Sequence, residues 1–252
     1  MFMAASPELR VVKVDCGFFR EAPSLNPQFA ADTPLLLVTL DIRWDRQDIR
    51  SAVAHMEEAL LAFLPSFAKH QCRGEQAYQV FAGRGSHAVP RPAVAGVAGA
   101  TPETLKRYDG CLAFAHLVEH CTLEFQSAVT GEKRCSGVTA AYRNTPGRFD
   151  VMVECRERRA GQCCLALAVA WLTSVAEGKA LGSGERDVLA AGRLVHSSPG
   201  RGFTPPAMAR ALGWSEARAQ AALSALRDVG YLEDARYTMN FSGVPEYRLS
   251  GP

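Results

Sequence analysis

The chain is predicted to be an α+β protein: a small sheet packed with helices, followed by a second, helix-rich stretch. Three observations carry this. VVKVDCGFF (11–19) and LLLVTLDIRW (35–44) are rich in Val, Leu and aromatic residues, the composition of strands. QDIRSAVAHMEEALLAFLPSFAKH (47–70) repeats Val53, Met56, Ala59/Leu60 and Phe63/Leu64 at helical spacing. GVTAAYRN (137–144) and GRFDVMVECR (147–156) then read as two strands joined around Thr145-Pro146-Gly147.

Taken in order, the first two strands are joined by the Pro- and Asn-containing loop EAPSLNPQFAADTP. Pro65 ends or kinks the amphipathic helix that follows, and its His55 reads as an ordinary surface histidine. Residues 71–110 carry Gly74, Gly83, Gly85, Pro90, Pro92, Gly96, Gly99, Pro102 and Gly110, so most of this stretch is expected to be loop. Its GRGS lacks the Lys-Ser/Thr ending of a phosphate-binding loop. Beyond the strand pair, AGQCCLALAVAWLTSVAEG (160–178) is an apolar helix ending at Gly178, suited to pack on the sheet. The order β-β-α-α-β-β-α gives a layered α+β architecture. GKALGSGE (178–185) has the composition of a linker, which places one unit at 1–180 and a second at 185–252.

Composition sets outer bounds. With 252 residues, 48% hydrophobic, 21% charged and a net charge of +2, the chain can bury a substantial core. That charge gives no general electrostatic case for nucleic acid or membrane surfaces. Eight cysteines are scattered with no C-x-x-C, and read as reduced, mostly buried thiols. There is no basic segment followed by an apolar run at the N-terminus, and no run of about 18 uninterrupted apolar residues, so a cytoplasmic location without membrane contact is expected.

The chemistry concentrates in FAHLVEHCTLEF (114–125). At about 100° per residue His116, Glu119, His120 and Glu124 share one helical stripe. Imidazoles at i and i+4 can converge on one cation, and a Glu just before the second His can hold an attacking water. This H-x-x-E-H order is the reverse of H-E-x-x-H. It makes His116 and His120 zinc ligands, Zn²⁺ the cofactor and Glu119 the general base. The competing reading is a packed helix with satisfied polar groups. Burying ionisable side chains on an apolar helix without partners costs several kcal/mol each, which favours a cation or a cleft. For the third ligand Glu124 continues the stripe, but lies about 12 Å along the axis from His116 at about 1.5 Å per residue. It is either a ligand or an outer carboxylate orienting a ligand imidazole. His70, Cys72, Cys121 and Glu154 are the other candidates.

The last part changes character. ERDVLAAGRLVH (185–196), TPPAMARALG (204–213) and SEARAQAALSALRDVG (215–230) precede YLEDARYTMNFSGVPEYRLS (231–250), spelling three helices and a two-stranded wing. Thr204 and Ser215 stand as N-caps, with Pro205 at a first helical position. This pattern resembles the winged helix-turn-helix modules of bacterial regulators, which implies contacts with DNA or with a protein partner. Arg218, Gln220 and Arg227 would then be the DNA-binding side chains. Against DNA, residues 185–252 hold eight Arg and no Lys against seven acidic residues, a thin margin for neutralising phosphates.

Residues 35–175 resemble the N-terminal domain of cyanophycin synthetase. The segments that carry the likeness are LPSFAKHQCRG (64–74), AHLVEHCTLEFQ (115–126) and NTPGRFDVMVECRERRAGQCCLALAVAWL (144–172). The resemblance implies a metal-dependent hydrolysis of an Asp/Arg polymer. His116, His120, Glu119 and Glu124 fall on the motif positions, and Cys72, Arg73 and Gly74 on a loop near the site. Arg73 is the candidate for binding a substrate carboxylate. The ATP-dependent ligase regions of the synthetase have no counterpart here, and KRCSGVTAAYRN departs from its Gly/Arg-rich stretch. The expected function is a zinc metallopeptidase-type hydrolase of peptide or isopeptide bonds. The alternative is a transcriptional regulator with a metal- or peptide-sensing domain and a DNA-binding winged helix.

Overall fold

The computed structural model describes residues 8–20, 22–29, 32–44, 49–69, 102–133, 135–142, 145–179, 183–234 and 245–249. Its first part runs β1 (Glu8–Gly17), a short α1 (Ala22–Leu25), β2 (Leu35–Arg43), α2 (Ile49–Phe63), a 3-10 turn (Pro65–Lys69), α3 (Pro102–Thr130), β3 (Gly137–Ala141), β4 (Arg148–Glu154) and α4 (Arg158–Ala176). The strands form one antiparallel sheet in the order β1-β2-β4-β3.

Alternation along the strands sorts side chains between two faces. Leu36, Val38, Leu40 and Ile42 of β2, with Phe149, Val151 and Val153 of β4, enter the main core with α2, α3 and α4. Leu35, Leu37, Val138, Ala140 and Met152 point the other way, under Ala22 and Phe29. Both faces of β2 are covered at that end, so LLLV is continuously apolar rather than alternating. Further along the second face the residues turn polar. There Thr39 donates to Asp150 at 2.7 Å, and Arg148 grips Asp41 through two bonds of 2.7 and 2.8 Å.

The helix carrying the H-x-x-E-H motif begins earlier than the sequence suggested. α3 starts at Pro102 and takes in residues 102–110, which the density of Gly and Pro had marked as loop. Pro102 is tolerated at a helix start because its missing N–H would have no partner there. Gly110 is a close-approach glycine rather than a breaker: a Cβ there would lie 2.6 Å from Ile49 Cβ. The amphipathic helix also stops at Phe63, with Pro65 opening the 3-10 turn.

After α4 come α5 (Ser183–His196), α6 (Pro205–Leu212), α7 (Glu216–Asp228), β5 (Leu232–Asp234) and β6 (Tyr247–Leu249). The β5–β6 pair is small and antiparallel, and Phe203 adds a bridge to Tyr247. Both caps form as read. Thr204 accepts from the Ala207 N–H and Ser215 from the Arg218 N–H, while Gly213 closes α6 at φ 68°. These helices share the core of the first part, since Val188 and Leu189 of α5 belong to the same apolar cluster as Phe125 and Val129 of α3. His196 meets Glu157 at 2.9 Å across the same junction. Of the described helices α4 is long and apolar enough to cross a membrane, yet Leu165, Ala168 and Leu172 are buried within this core. Seven described cysteines are free thiols, and five of them are buried.

Candidate metal centre

Packing sets the site, because α3 runs between the sheet on one side and α2, α4 and α5 on the others. Leu117, Val118, Cys121 and Phe125 fill the core, and the polar stripe is enclosed with them. Glu119 is 4% exposed, His120 7% and Glu124 9%, while His116 is half-buried and so the most accessible of the four.

His116 Nε2 and His120 Nε2 stand 3.0 Å apart, their rings 4.2 Å between centroids at 68°. Two nitrogens bound at about 2.0–2.1 Å to one tetrahedral zinc would be about 3.3 Å apart, so the pair is close to a chelating geometry. A Glu119 carboxylate oxygen joins them, the three ligand atoms lying within 4.8 Å of one another. Two imidazoles with a carboxylate beside them suit a divalent transition metal.

Glu119 is fixed from the sheet. Thr139 Oγ1 on β3 donates to its Oε2 at 2.5 Å. Burial pushes this carboxyl up to about 8, and the Thr139 bond offsets only part of that. A neighbouring cation would act in the opposite direction, favouring the carboxylate. Gly137, two residues before Thr139, provides the space: a Cβ there would lie 2.5 Å from Glu119 Oε1 and 2.8 Å from its Cδ. Gly137→Ala is therefore expected to displace the Glu119 side chain and cost about 1–3 kcal/mol, as overpacking does. Urea unfolding measures this, and an unchanged midpoint would mean that the glycine is not needed for room.

The 3-10 turn covers the other end of the stripe. The Phe67 and His120 rings pack edge to face with centroids 5.5 Å apart, and Ser66 Oγ donates to Glu124 Oε2 at 2.7 Å. Glu124 thus stands one turn beyond the three-residue group, held by a hydroxyl. Cys121 is fully buried in the core, and Glu154 accepts from the Ser136 N–H at 2.9 Å. His70, Cys72 and Arg73 lie outside the described residues. Neither Thr139 nor Gly137 is legible in the sequence as part of a site, because a Thr and a Gly in a short strand carry no chemical signature. Ser66 and Phe67 were visible only as part of LPSFAKHQCRG.

The three candidate base readers of α7 are engaged within the chain. Arg218 makes two bonds to Asp187 at 2.6 and 2.5 Å and lies over the Trp214 ring at 4.5 Å. Gln220 donates to Ser224 at 2.9 Å and to Tyr247 at 2.6 Å. Arg227 pairs with Asp228 at 3.0 Å and reaches Asp234 at 3.9 Å.

Fold and site together define an α+β protein with a buried His-x-x-Glu-His group able to hold a metal ion. Comparison with known protein families, with characterised proteins and with solved structures finds no match to this chain.

Proposed function

We propose that this protein is a zinc-dependent hydrolase of peptide or isopeptide bonds, with a cyanophycin-like Asp/Arg polymer as its substrate class. The observation that carries the reading is the pair of imidazole nitrogens 3.0 Å apart with the Glu119 carboxylate beside them. His116 and His120 hold the cation. When bound, zinc supplies Lewis acidity, polarising the scissile carbonyl and lowering the pKa of a water. Glu119 takes the proton of the attacking water and passes it to the leaving amine. Thr139 keeps that carboxylate aimed at the site, and Gly137 leaves it room. Substrate reaches the group from the side of half-buried His116; Arg73, outside the described residues, is the proposed partner of a substrate carboxylate.

The regulator reading has no comparable support, since Arg218, Gln220 and Arg227 are already committed to partners in the chain. The test is to incubate the purified chain with an Asp/Arg polymer and, separately, with an ordinary unfolded polypeptide, and to count new amino ends. Cleavage that a chelator stops and zinc restores is expected. No new ends on either substrate would count against the reading.

Glu124 is the proposed third ligand, and Glu124→Gln separates that role from an outer one. A neutral amide oxygen is a poor zinc donor, so loss of a ligand should weaken zinc affinity beyond the roughly 10–100-fold typical of outer partners. A competitive zinc titration reads the difference. Affinity equal to wild type would remove Glu124 from the site.

A further inference from the structure

A cavity of about 340 Å³ lies where α3 and α4 meet α5 and α7. Phe125 and Trp171 give it aromatic walls, Leu167 and Val188 aliphatic ones, and the small Ala221 and Ala225 of α7 leave the space open. It is distinct from the metal centre: α3 lends Phe125 to this cavity, whereas Glu124, the residue before, meets Ser66. The volume falls within the roughly 300–1,000 Å³ of small-molecule sites, which favour junctions between packed units.

Two features say what it would take. Glu185 Oε2 and Trp171 Nε1 are buried with no hydrogen-bond partner among the described residues, and both residues line the cavity. Trp171 is only 2% exposed, so its indole N–H has no recourse to solvent. The other charges on the wall cancel, because Arg218 is held by both oxygens of Asp187. Among the charged residues of the wall, Glu185, in the first turn of α5, is left without a countercharge.

We propose that this cavity binds a small organic cation, an ammonium group on an apolar body, with the ammonium donating to Glu185 and the body against Trp171 and Phe125. A carboxylate whose Oε2 has no donor among the described residues, together with two aromatic rings, is the chemistry that selects an ammonium over a neutral or anionic head. The apolar body gains from leaving water.

Phenethylamine, 2-phenylethanol and 3-phenylpropionate present a similar body with positive, neutral and negative heads. Titration calorimetry and thermal unfolding of the full chain test them without reference to hydrolysis, so the outcome is independent of the proposed activity. The amine is expected to bind at least tenfold more tightly than the alcohol, and the carboxylate not measurably. At about 100-fold excess over its Kd the amine should raise the unfolding midpoint by roughly 5–10 °C. Glu185→Gln should bring the amine down to the affinity of the alcohol. Ala221→Phe, at an exposed rim position, should block all three, with circular dichroism verifying that the unliganded protein is folded. Absence of amine binding, equal affinity for amine and alcohol, or undiminished amine binding by the Ala221→Phe protein would each overturn the proposal.

Discussion

Alanine in place of His116 or His120 is expected to lower zinc affinity by far more than about 100-fold, beyond the 10–100-fold typical of residues that only orient a ligand. Each imidazole supplies one of two nitrogens 3.0 Å apart, the pair on which the proposed chelation rests. Among the described residues the group within 4.8 Å has three members, and Glu119 alone remains beside the surviving histidine. His120→Ala carries a second consequence. Its ring is buried and packs against Phe67, so the variant also leaves a gap beneath the 3-10 turn. His116 is half-buried, and His116→Ala should perturb the fold less while losing zinc equally. Competitive titration of the two variants, with circular dichroism to verify folding, checks this. Either protein binding zinc like wild type would show that its histidine is not a ligand.

Glu119→Gln should separate catalysis from metal binding. The amide has nearly the shape of the carboxylate, fits above Gly137 and still accepts from Thr139, so packing is retained. What it loses is the capacity to take a proton. Zinc affinity is expected to stay within several-fold of wild type, while cleavage of the Asp/Arg polymer falls by about 10²–10⁴, the range for a general base. Gly137→Ala makes a useful comparison because it keeps the carboxylate and moves it. Full turnover by Glu119→Gln would assign the proton transfer to another group.

Much of this arrangement was legible because it depends on periodicity and side-chain chemistry. The Val- and Leu-rich runs mark the strands, the 3.6-residue repeat marks α2, and Thr204 and Ser215 mark helix starts, since each reflects a local physical preference. The coming together of His116, Glu119 and His120 followed from helical spacing alone. Contacts made at long range were not legible. Thr139 reaches Glu119 across 20 positions and Ser66 reaches Glu124 across 58. Gly110 looked like a loop residue because its reason for being glycine is Ile49, on another helix. Arg218 looked free to read a base because Asp187, its partner, is 31 positions away. Local pattern names the residues that can do chemistry, and tertiary contacts decide how they are aimed and which are already engaged.

The zinc content of the purified full chain tests the central claim most directly, measured by elemental analysis after purification without added metal and again after chelation and reloading. The account predicts stoichiometric zinc that is removed by chelator, returns on titration, and is missing from the His116→Ala and His120→Ala proteins. A chain that carries no zinc and takes up none at concentrations equal to its own, or one whose zinc persists when both histidines are replaced, would contradict it.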